Sequence, residues 1–189
     1  MSIRAFIALP VDEAMRSRIA ETAAGLRAGL HGLRWVEGEA AHLTLRFLGP
    51  SSPESLASLE GPLREAAAAC SAAEARFAGL GTFPERGAPR VLWLGVSLSP
   101  DLLALQATCD SAALAAGFPS ESRRFHPHVT LGRWRKQAPR PTLPPVDLGA
   151  TALRTLVLFR SDLKPTGPLH TPLVTFRLGS IPNPGVGAG

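Results

Sequence analysis

Apolar and polar residues follow two different periods along the chain, and the changes between these periods predict alternating strands and helices. Short apolar runs that are rich in β-branched and aromatic residues, and are bounded by glycine or proline, predict strands. Apolar residues at every third or fourth position predict helices with one buried face, as in the segment that follows Asp12, a good N-cap residue. The predicted strands are residues 3–9, 33–36, 42–48, 75–80, 90–98, 124–134, 154–161 and 173–178, and the predicted helices are 12–30, 56–70 and 100–116.

Segments rich in glycine, proline and charged residues separate these elements and predict loops. The longest, residues 136–149, contains four prolines and few apolar residues, so we expect a surface loop there. Gly167 and Pro168 predict a turn between the last two strands. The unbroken apolar run 90–98 predicts a strand buried on both faces, whereas residues 182–189 offer little for packing and are expected to fray.

Two short motifs, each a histidine followed two residues later by a threonine, lie in predicted strands. They are His42-Leu43-Thr44-Leu45 and His128-Val129-Thr130-Leu131. Because side chains two apart in a strand point to the same face, each motif presents an imidazole and a hydroxyl together, with an apolar reverse side that can cover a core. Two such strands facing one cleft would form a site for proton transfer.

The sequence around the motifs also repeats. The two histidines are 86 positions apart, and the same offset aligns the strand 4–9 with residues 90–95, each beginning with arginine. The repeat predicts two related halves, residues 1–80 and 90–180, joined about a pseudo-twofold axis with the motifs opposite each other. Together they would form a single two-lobed domain over residues 1–189.

Composition narrows the class of protein. A chain of 189 residues, 45% of them hydrophobic, is long and apolar enough to bury a core, which argues against disorder. The net charge of +5 comes almost wholly from arginine, since Lys136 and Lys164 are the only lysines. Arginine suits phosphate recognition and therefore a polyanionic partner, although a GC-rich genome would also favour arginine.

The spacing of the cysteines and the length of the apolar runs indicate the cellular compartment in which the protein is expected to act. Cys70 and Cys109 lie in predicted helices, with no spacing typical of a zinc site or a disulfide framework. The apolar run at residues 5–10 is shorter than the core of a signal peptide, and no run is long enough to span a membrane. We therefore expect a cytoplasmic protein that does not associate with membranes, and we expect a monomer.

These residues resemble a known family, the two-histidine phosphoesterases, and within it the bacterial RNA 2′,3′-cyclic phosphodiesterases, also called 2′-5′ RNA ligases. The resemblance covers nearly the whole chain and lies in five segments. They are Arg4-x-Phe6-x-Ala8, His42-Leu-Thr-Leu-Arg-Phe-Leu-Gly49, Val91-Leu-Trp-Leu-Gly-Val96, Phe125-x-Pro-His-Val-Thr-Leu-Gly-Arg133, and Leu156 to Leu169 with Ser161 and Gly167-Pro168. The chain departs from the family at His170, where the family commonly has a tyrosine.

The resemblance implies both a fold and an activity. The fold would be α+β and bilobal, with antiparallel sheets around a central cleft and helices on the outer faces. The activity would be hydrolysis of an RNA terminal 2′,3′-cyclic phosphate to a 2′-phosphomonoester, with His42 as the proton donor and His128 as the proton acceptor. Ends of tRNA fragments and small cyclic nucleotides both fit this description of the substrate.

The residue chemistry supports this activity independently of the resemblance. Opening a cyclic phosphodiester requires a base that deprotonates the attacking water and an acid that protonates the leaving ribose oxygen. Histidine, with an ordinary pKa of about 6.5, can act as either near neutral pH. The hydroxyls of Thr44 and Thr130 can donate hydrogen bonds to the non-bridging oxygens, where charge collects in the transition state. The reaction then requires no metal or other cofactor.

Three arginines near the motifs are candidates for binding the substrate. Arg46 lies four positions after His42, on the same predicted face, and is the better candidate for a phosphate contact. Arg133, five positions after His128, would reach the catalytic face only through a bulge or at the strand end. Arg124 would share that face if the extended conformation continued so far. For each of them a solvated surface arginine is the alternative.

Two further side chains near the motifs have more than one interpretation. Phe47 could stack a base, as aromatic residues do in proteins that bind single-stranded RNA, or it could pack in the core. His126 and His128 form an H-x-H pair that could in principle bind a metal. No acidic or cysteine ligand stands at a suitable spacing, so we expect no metal site.

Two other functions share most of these features. The same chemistry in reverse would join a 2′,3′-cyclic phosphate to a 5′-hydroxyl, which is 2′-5′ RNA ligation, although dilute conditions favour hydrolysis by water. An RNA-binding module without turnover is the third possibility. The complete pair of H-x-T motifs argues against such a module, because arginines alone would suffice for phosphate binding.

Overall fold

The computed structural model of the chain describes residues 2–36, 41–164 and 167–179. Within these ranges the strands are β1 (Ile3–Pro10), β2 (Leu33–Trp35), β3 (His42–Ser51), β4 (Ala73–Phe83), β5 (Val91–Leu98), β6 (His128–Trp134), β7 (Asp147–Leu153), β8 (Thr155–Lys164) and β9 (Gly167–Arg177). The helices are α1 (Glu13–Leu26), α2 (Pro53–Ala69) and α3 (Pro100–Ala115). The predicted frayed tail at 182–189 lies outside the described residues.

Short polar side chains begin all three helices. Asp12 caps α1 by accepting a hydrogen bond from the backbone N–H of Met15 at 2.7 Å. Ser52 and Ser99 cap α2 and α3 in the same way, each followed by a proline in the first turn. Such caps satisfy backbone N–H groups that have no partner inside the helix. Gly117, with a φ of +85°, follows the end of α3, where a left-handed conformation stops the helix.

The nine strands form two antiparallel sheets. The first sheet has four strands in the order β3-β1-β8-β9, and the second has five in the order β2-β6-β5-β4-β7. Helix α1 packs against β7, α3 packs against β3 and β5, and α2 packs against α3, β8 and β9. Buried side chains from both sheets and all three helices form one hydrophobic cluster. The predicted α+β fold with antiparallel sheets is confirmed.

The repeat in the sequence has a counterpart in the topology. β1, α1 and β3 form one unit, and β5, α3 and β6 form a second with the same antiparallel pairing of its two strands. His42 lies opposite Pro10, and His128 lies opposite Gly95. Pro10, and not the predicted Leu9, therefore corresponds to Gly95. Each sheet also contains strands from both sequence halves, because β2 belongs to the second sheet while β8 and β9 belong to the first.

Burial along β5 differs from the prediction. The apolar run was expected to be covered on both faces, but burial alternates along it. Leu92, Leu94 and Val96 are buried, whereas Trp93 is only partly buried and lies on the opposite face. The strand is therefore covered on one side by the core, and its other side contributes an aromatic ring to the surface that carries the second motif.

Strands β6 and β7 also differ from the prediction. β6 begins at His128 and not at residue 124, because Pro127 has no backbone N–H to donate to a sheet. β7 begins within the predicted loop 136–149. Its glycine and alanine residues gave no strand pattern, and its extended conformation depends on pairing with β4.

Candidate active site

The two H-x-T motifs lie on β3 and β6, which contact each other where the two sheets meet. In each motif the histidine and the threonine are partly buried, whereas the two apolar residues are fully buried. Those buried residues are Leu43, Leu45, Val129 and Leu131. Both motifs thus present an imidazole and a hydroxyl on the face opposite the core.

A β-bulge follows the motif threonine in β3. Thr44 and Arg46 pair with consecutive residues of β1, so Leu45 is the extra residue. A bulge reverses the alternation of faces beyond it. Arg46 therefore leaves the face of His42, and Phe47, five positions after His42, returns to it.

Strand β6 has a bulge at the equivalent place. Thr130 and Gly132 pair with consecutive residues of β5, so Leu131 is the extra residue. Arg133 consequently lies on the face of His128, as its predicted placement required. Its positive charge is one of the smaller causes that lower the pKa of His128, and Arg133 itself is exposed.

The predicted placement of Arg46 on the catalytic face is wrong. Its side chain is buried, with 4% exposure, and its guanidinium lies 3.0 Å from the carboxylate of Asp110 in α3. It also donates a hydrogen bond to the carbonyl of Pro119. Arg46 therefore joins β3 to α3 and to the segment that leads into the second motif strand.

The other predicted binding residues lie at the surface. Phe47 is 58% exposed, and its ring centroid is 6.2 Å from that of Phe6. Arg124 is exposed and lies in irregular backbone before β6, so the alternation of faces in a strand does not place it on the catalytic face. Arg133 is the one predicted arginine that strand geometry places beside a motif histidine.

The ring of His128 has a defined hydrogen bond. Its Nδ1 lies 2.6 Å from the backbone carbonyl oxygen of His126. A carbonyl can only accept, so Nδ1 carries the hydrogen and the lone pair of the neutral ring is on Nε2. Burial lowers the pKa of His128, as do the nearby charges of His126 and Arg133, although the bond to the carbonyl partly opposes them. The ring is therefore kept neutral, as a proton acceptor must be.

Aromatic rings surround His42. It stacks on Phe6, with ring centroids 4.9 Å apart and an interplanar angle of 29°. His170 meets His42 edge to face at 5.2 Å, and Phe159 lies 6.0 Å away. Burial lowers the pKa of His170. A protonated His42 would be attracted by the ring face of Phe6, while a neutral His170 adds no repulsion.

A second aromatic group surrounds His128 and was not predicted from the sequence. Phe83 meets the His128 ring edge to face at 5.1 Å, and Trp93 lies 6.4 Å from it. His126 contacts both Trp93 and Phe83, whose rings also contact each other with centroids 5.4 Å apart. The alternation of apolar residues in β5 could have placed Trp93 on the motif face, but Phe83 reaches the site only through the pairing of β4 with β5.

Two further expectations concern metal binding and association with membranes. Across residues 2–36, 41–164 and 167–179, no three His, Cys, Asp or Glu side chains lie together as metal ligands would. None of the helices in the described part of the chain is long and apolar enough to cross a membrane.

Two antiparallel sheets, each with an H-x-T strand at the place where they meet, define the class of two-histidine phosphoesterases. The model of the 2′-5′ RNA ligase superfamily matches residues 14–158. The chain belongs to that superfamily.

Individual relatives agree with this assignment. The chain is 31% identical to an RNA 2′,3′-cyclic phosphodiesterase from Methanothermobacter thermautotrophicus, over 94% of this chain and 100% of the relative. The crystal structure of TT0787 from Thermus thermophilus superposes with a TM-score of 0.84 at 32% identity, covering 94% of this chain and 98% of that one. LigT of E. coli, in a complex with 3′-AMP, superposes with a TM-score of 0.83 at 26% identity, covering 95% and 100%.

Proposed function

We propose that this protein is an RNA 2′,3′-cyclic phosphodiesterase that hydrolyses a terminal 2′,3′-cyclic phosphate to a 2′-phosphomonoester. The observation that carries the proposal is the pair of H-x-T motifs on two contacting strands, with His128 in the tautomer that a general base requires. Relatives of similar length that are named RNA 2′,3′-cyclic phosphodiesterases support the substrate class.

His128 is the general base in this proposal. With Nδ1–H donated to the carbonyl of His126, Nε2 accepts a proton from the attacking water. Its lowered pKa keeps the lone pair available near neutral pH. The imidazolium that forms is stabilised by the same carbonyl, because its Nδ1–H bond strengthens when the ring becomes charged.

His42 is the general acid. The water oxygen bonds to phosphorus, the bond from phosphorus to the ribose 3′-oxygen breaks, and His42 gives its proton to that oxygen. The phosphate then remains on the 2′-oxygen. The face of Phe6 supports His42 while the imidazole is charged.

Two hydroxyls, one arginine and one aromatic ring complete the proposed site. Thr44 and Thr130 donate to the non-bridging phosphate oxygens, and Arg133 compensates their charge. Phe47, largely exposed on the face of His42, is suited to stack a nucleobase. These four contacts, with the two histidines, supply the proton transfers and the charge stabilisation without a metal or cofactor.

The proposal also includes the cellular location, the oligomeric state and the substrates of the protein. The protein acts as a cytoplasmic monomer on RNA with 2′,3′-cyclic phosphate ends, such as tRNA fragments, or on small cyclic nucleotides. Joining of such an end to a 5′-hydroxyl uses the same groups with a ribose oxygen in place of water, and the test below detects it.

The test is incubation of the purified protein with an oligonucleotide that ends in a 2′,3′-cyclic phosphate, followed by identification of the product. We expect a terminal 2′-phosphate, which chromatography of the product beside synthetic 2′-phosphate and 3′-phosphate standards distinguishes from a 3′-phosphate. A 3′-phosphate would contradict the assignment of the leaving oxygen. Appearance of 2′-5′-joined products with a 5′-hydroxyl oligonucleotide, faster than hydrolysis, would replace hydrolysis by ligation.

A further inference from the structure

His126 takes no part in the proton transfers of the proposed reaction, but its backbone carbonyl and its ring both lie close to His128, the general base. We propose that the His126 side chain is a positioning residue: by packing on Trp93 it fixes the carbonyl that orients His128. The inference rests on the proposed function, because it explains how the base of that reaction is kept in one orientation and one tautomer.

The carbonyl of His126 is the group that must be fixed. It accepts the Nδ1–H of His128 at 2.6 Å, so a small rotation of this peptide would change the direction of the base or allow the other tautomer. The sheet does not fix this peptide. β6 begins at His128, and the adjoining hydrogen bond to β5, from the N–H of Val96, goes to the carbonyl of Pro127.

The ring of His126 supplies the missing restraint. Its centroid is 4.7 Å from that of Trp93, and Phe83 meets it edge to face at 5.3 Å. Pro127 also confines the residue before it to extended conformations. The backbone of His126 is thus restrained on one side by its own ring contacts and on the other by the proline.

The position of Trp93 depends in turn on a glycine in the neighbouring strand, because the indole occupies the space that a side chain there would fill. It pairs with Gly81 of β4, and a Cβ built on Gly81 would lie 2.1 Å from Cζ2 of Trp93. The indole therefore lies directly on the backbone of β4, in space that no residue other than glycine leaves open. The restraint extends from Gly81 through Trp93 and His126 to the base.

Two other roles for His126 predict different measurements. A metal ligand would need further ligands beside His128, but in the part of the chain that the structure describes no third His, Cys, Asp or Glu lies with the pair, and such a role would make activity depend on added metal. A base-stacking residue would act through its exposed outer face, and its removal would raise KM without altering the tautomer of His128.

The test compares His126→Phe, which keeps a ring for packing on Trp93, with His126→Ala, which does not. His31→Ala is the matched control, because it removes an exposed imidazole from a residue whose backbone carbonyl accepts a hydrogen bond from Trp134. We measure kcat and KM for a cyclic-phosphate oligonucleotide, and the ¹⁵N chemical shifts of the His128 ring, which report its tautomer without substrate. Gly81→Ala is a further variant, because it displaces Trp93 while His126 is intact.

We expect His126→Ala to lower kcat on the order of 10-fold to 10²-fold, with little change in KM and with mixed tautomers of His128. His126→Phe should remain within a few-fold of wild type, and Gly81→Ala should shift the ¹⁵N signals in the same direction as His126→Ala. If the wild type does not hydrolyse the substrate, the proposed function fails, and the ¹⁵N spectra still decide this inference.

Three results would overturn the inference. The first is a single Nδ1–H tautomer of His128 in His126→Ala. The second is an equal loss of activity in the phenylalanine and alanine variants, which would mean that the imidazole nitrogens are required. Restoration of His126→Phe by an added metal ion, with no effect on wild type, would identify a metal ligand. If His126→Ala does not fold, the ¹⁵N shifts of Gly81→Ala replace it: mixed tautomers support the inference, and a single Nδ1–H tautomer overturns it.

Discussion

Replacing Arg46 by methionine should destabilise the protein and leave substrate binding unchanged. Arg46 has 4% exposure, and the substitution leaves the carboxylate of Asp110 and the carbonyl of Pro119 without their guanidinium. Breaking a fully buried ion pair costs about 3–5 kcal/mol. The side chain of Asp110 is 35% exposed and can recover some hydration, so we expect a loss of about 2–3 kcal/mol. For a chain of this size the midpoint of thermal unfolding should fall by roughly 5–10 °C.

The assay combines thermal unfolding followed by circular dichroism with steady-state kinetics below the unfolding range. Arg133→Met is the matched control, because Arg133 lies on the catalytic face and should affect KM or kcat with a much smaller change in the midpoint. The double variant Arg46→Met/Asp110→Asn should lose less stability than the sum of the two single variants, since both remove one interaction. If Arg46→Met raises KM several-fold while the midpoint stays constant, Arg46 binds substrate and the structural explanation of its burial is refuted.

Three further predictions concern the chemistry. Activity should survive EDTA, because two imidazoles carry both proton transfers; loss on chelation that zinc or manganese restores would indicate a metallohydrolase built on His126 and His128. Since burial lowers the pKa of His128 from 6.5, and the base must be neutral, the acid limb of kcat/KM should have its midpoint below pH 6.5; a midpoint above that value contradicts the assignment of the base. Thr44→Ala and Thr130→Ala should each lower kcat/KM on the order of 10-fold to 10²-fold, as expected for one lost hydrogen bond of about 1.5–3 kcal/mol, and unchanged kinetics would remove the threonines from the site.

The motifs could be predicted from the sequence because their information is local. A histidine and a threonine two residues apart share a face in any strand, so Thr44 and Thr130 required no knowledge of the partners. The helix caps could be predicted for the same reason, as Asp12 at the start of α1 shows. Beyond each threonine the pattern failed, because a bulge depends on the pairing with β1 or β5, which no short segment encodes.

The bulges explain the two opposite outcomes for the arginines. Arg46, at an even spacing from His42, was placed on the catalytic face by simple alternation and is buried instead. Arg133, at an odd spacing from His128, was conditional on a bulge, and the bulge is present. A charged residue inside the core is also a rare event that composition does not predict, and its partner Asp110 is remote in the sequence.

Apart from Trp93, the aromatic surroundings that remote strands bring to the histidines could not be predicted from local sequence. Phe159 and His170 reach His42 from β8 and β9 only because β8 pairs with β1 and β9 pairs with β8 in the first sheet. Phe83 reaches His128 through β4. Strand order is a property of the whole chain, and the sequence halves suggested by the repeat do not coincide with the sheets.

The central claim is that the two motif histidines form one acid–base pair, and the most direct measurement is kcat/KM for a cyclic-phosphate oligonucleotide in four proteins. They are wild type, His42→Ala, His128→Ala and the double variant, with His31→Ala as a control for loss of an exposed imidazole. We predict that each single variant loses at least roughly 10²- to 10⁴-fold and that the double variant loses much less than the product of the two. Activity within a few-fold of wild type after either substitution would contradict the claim.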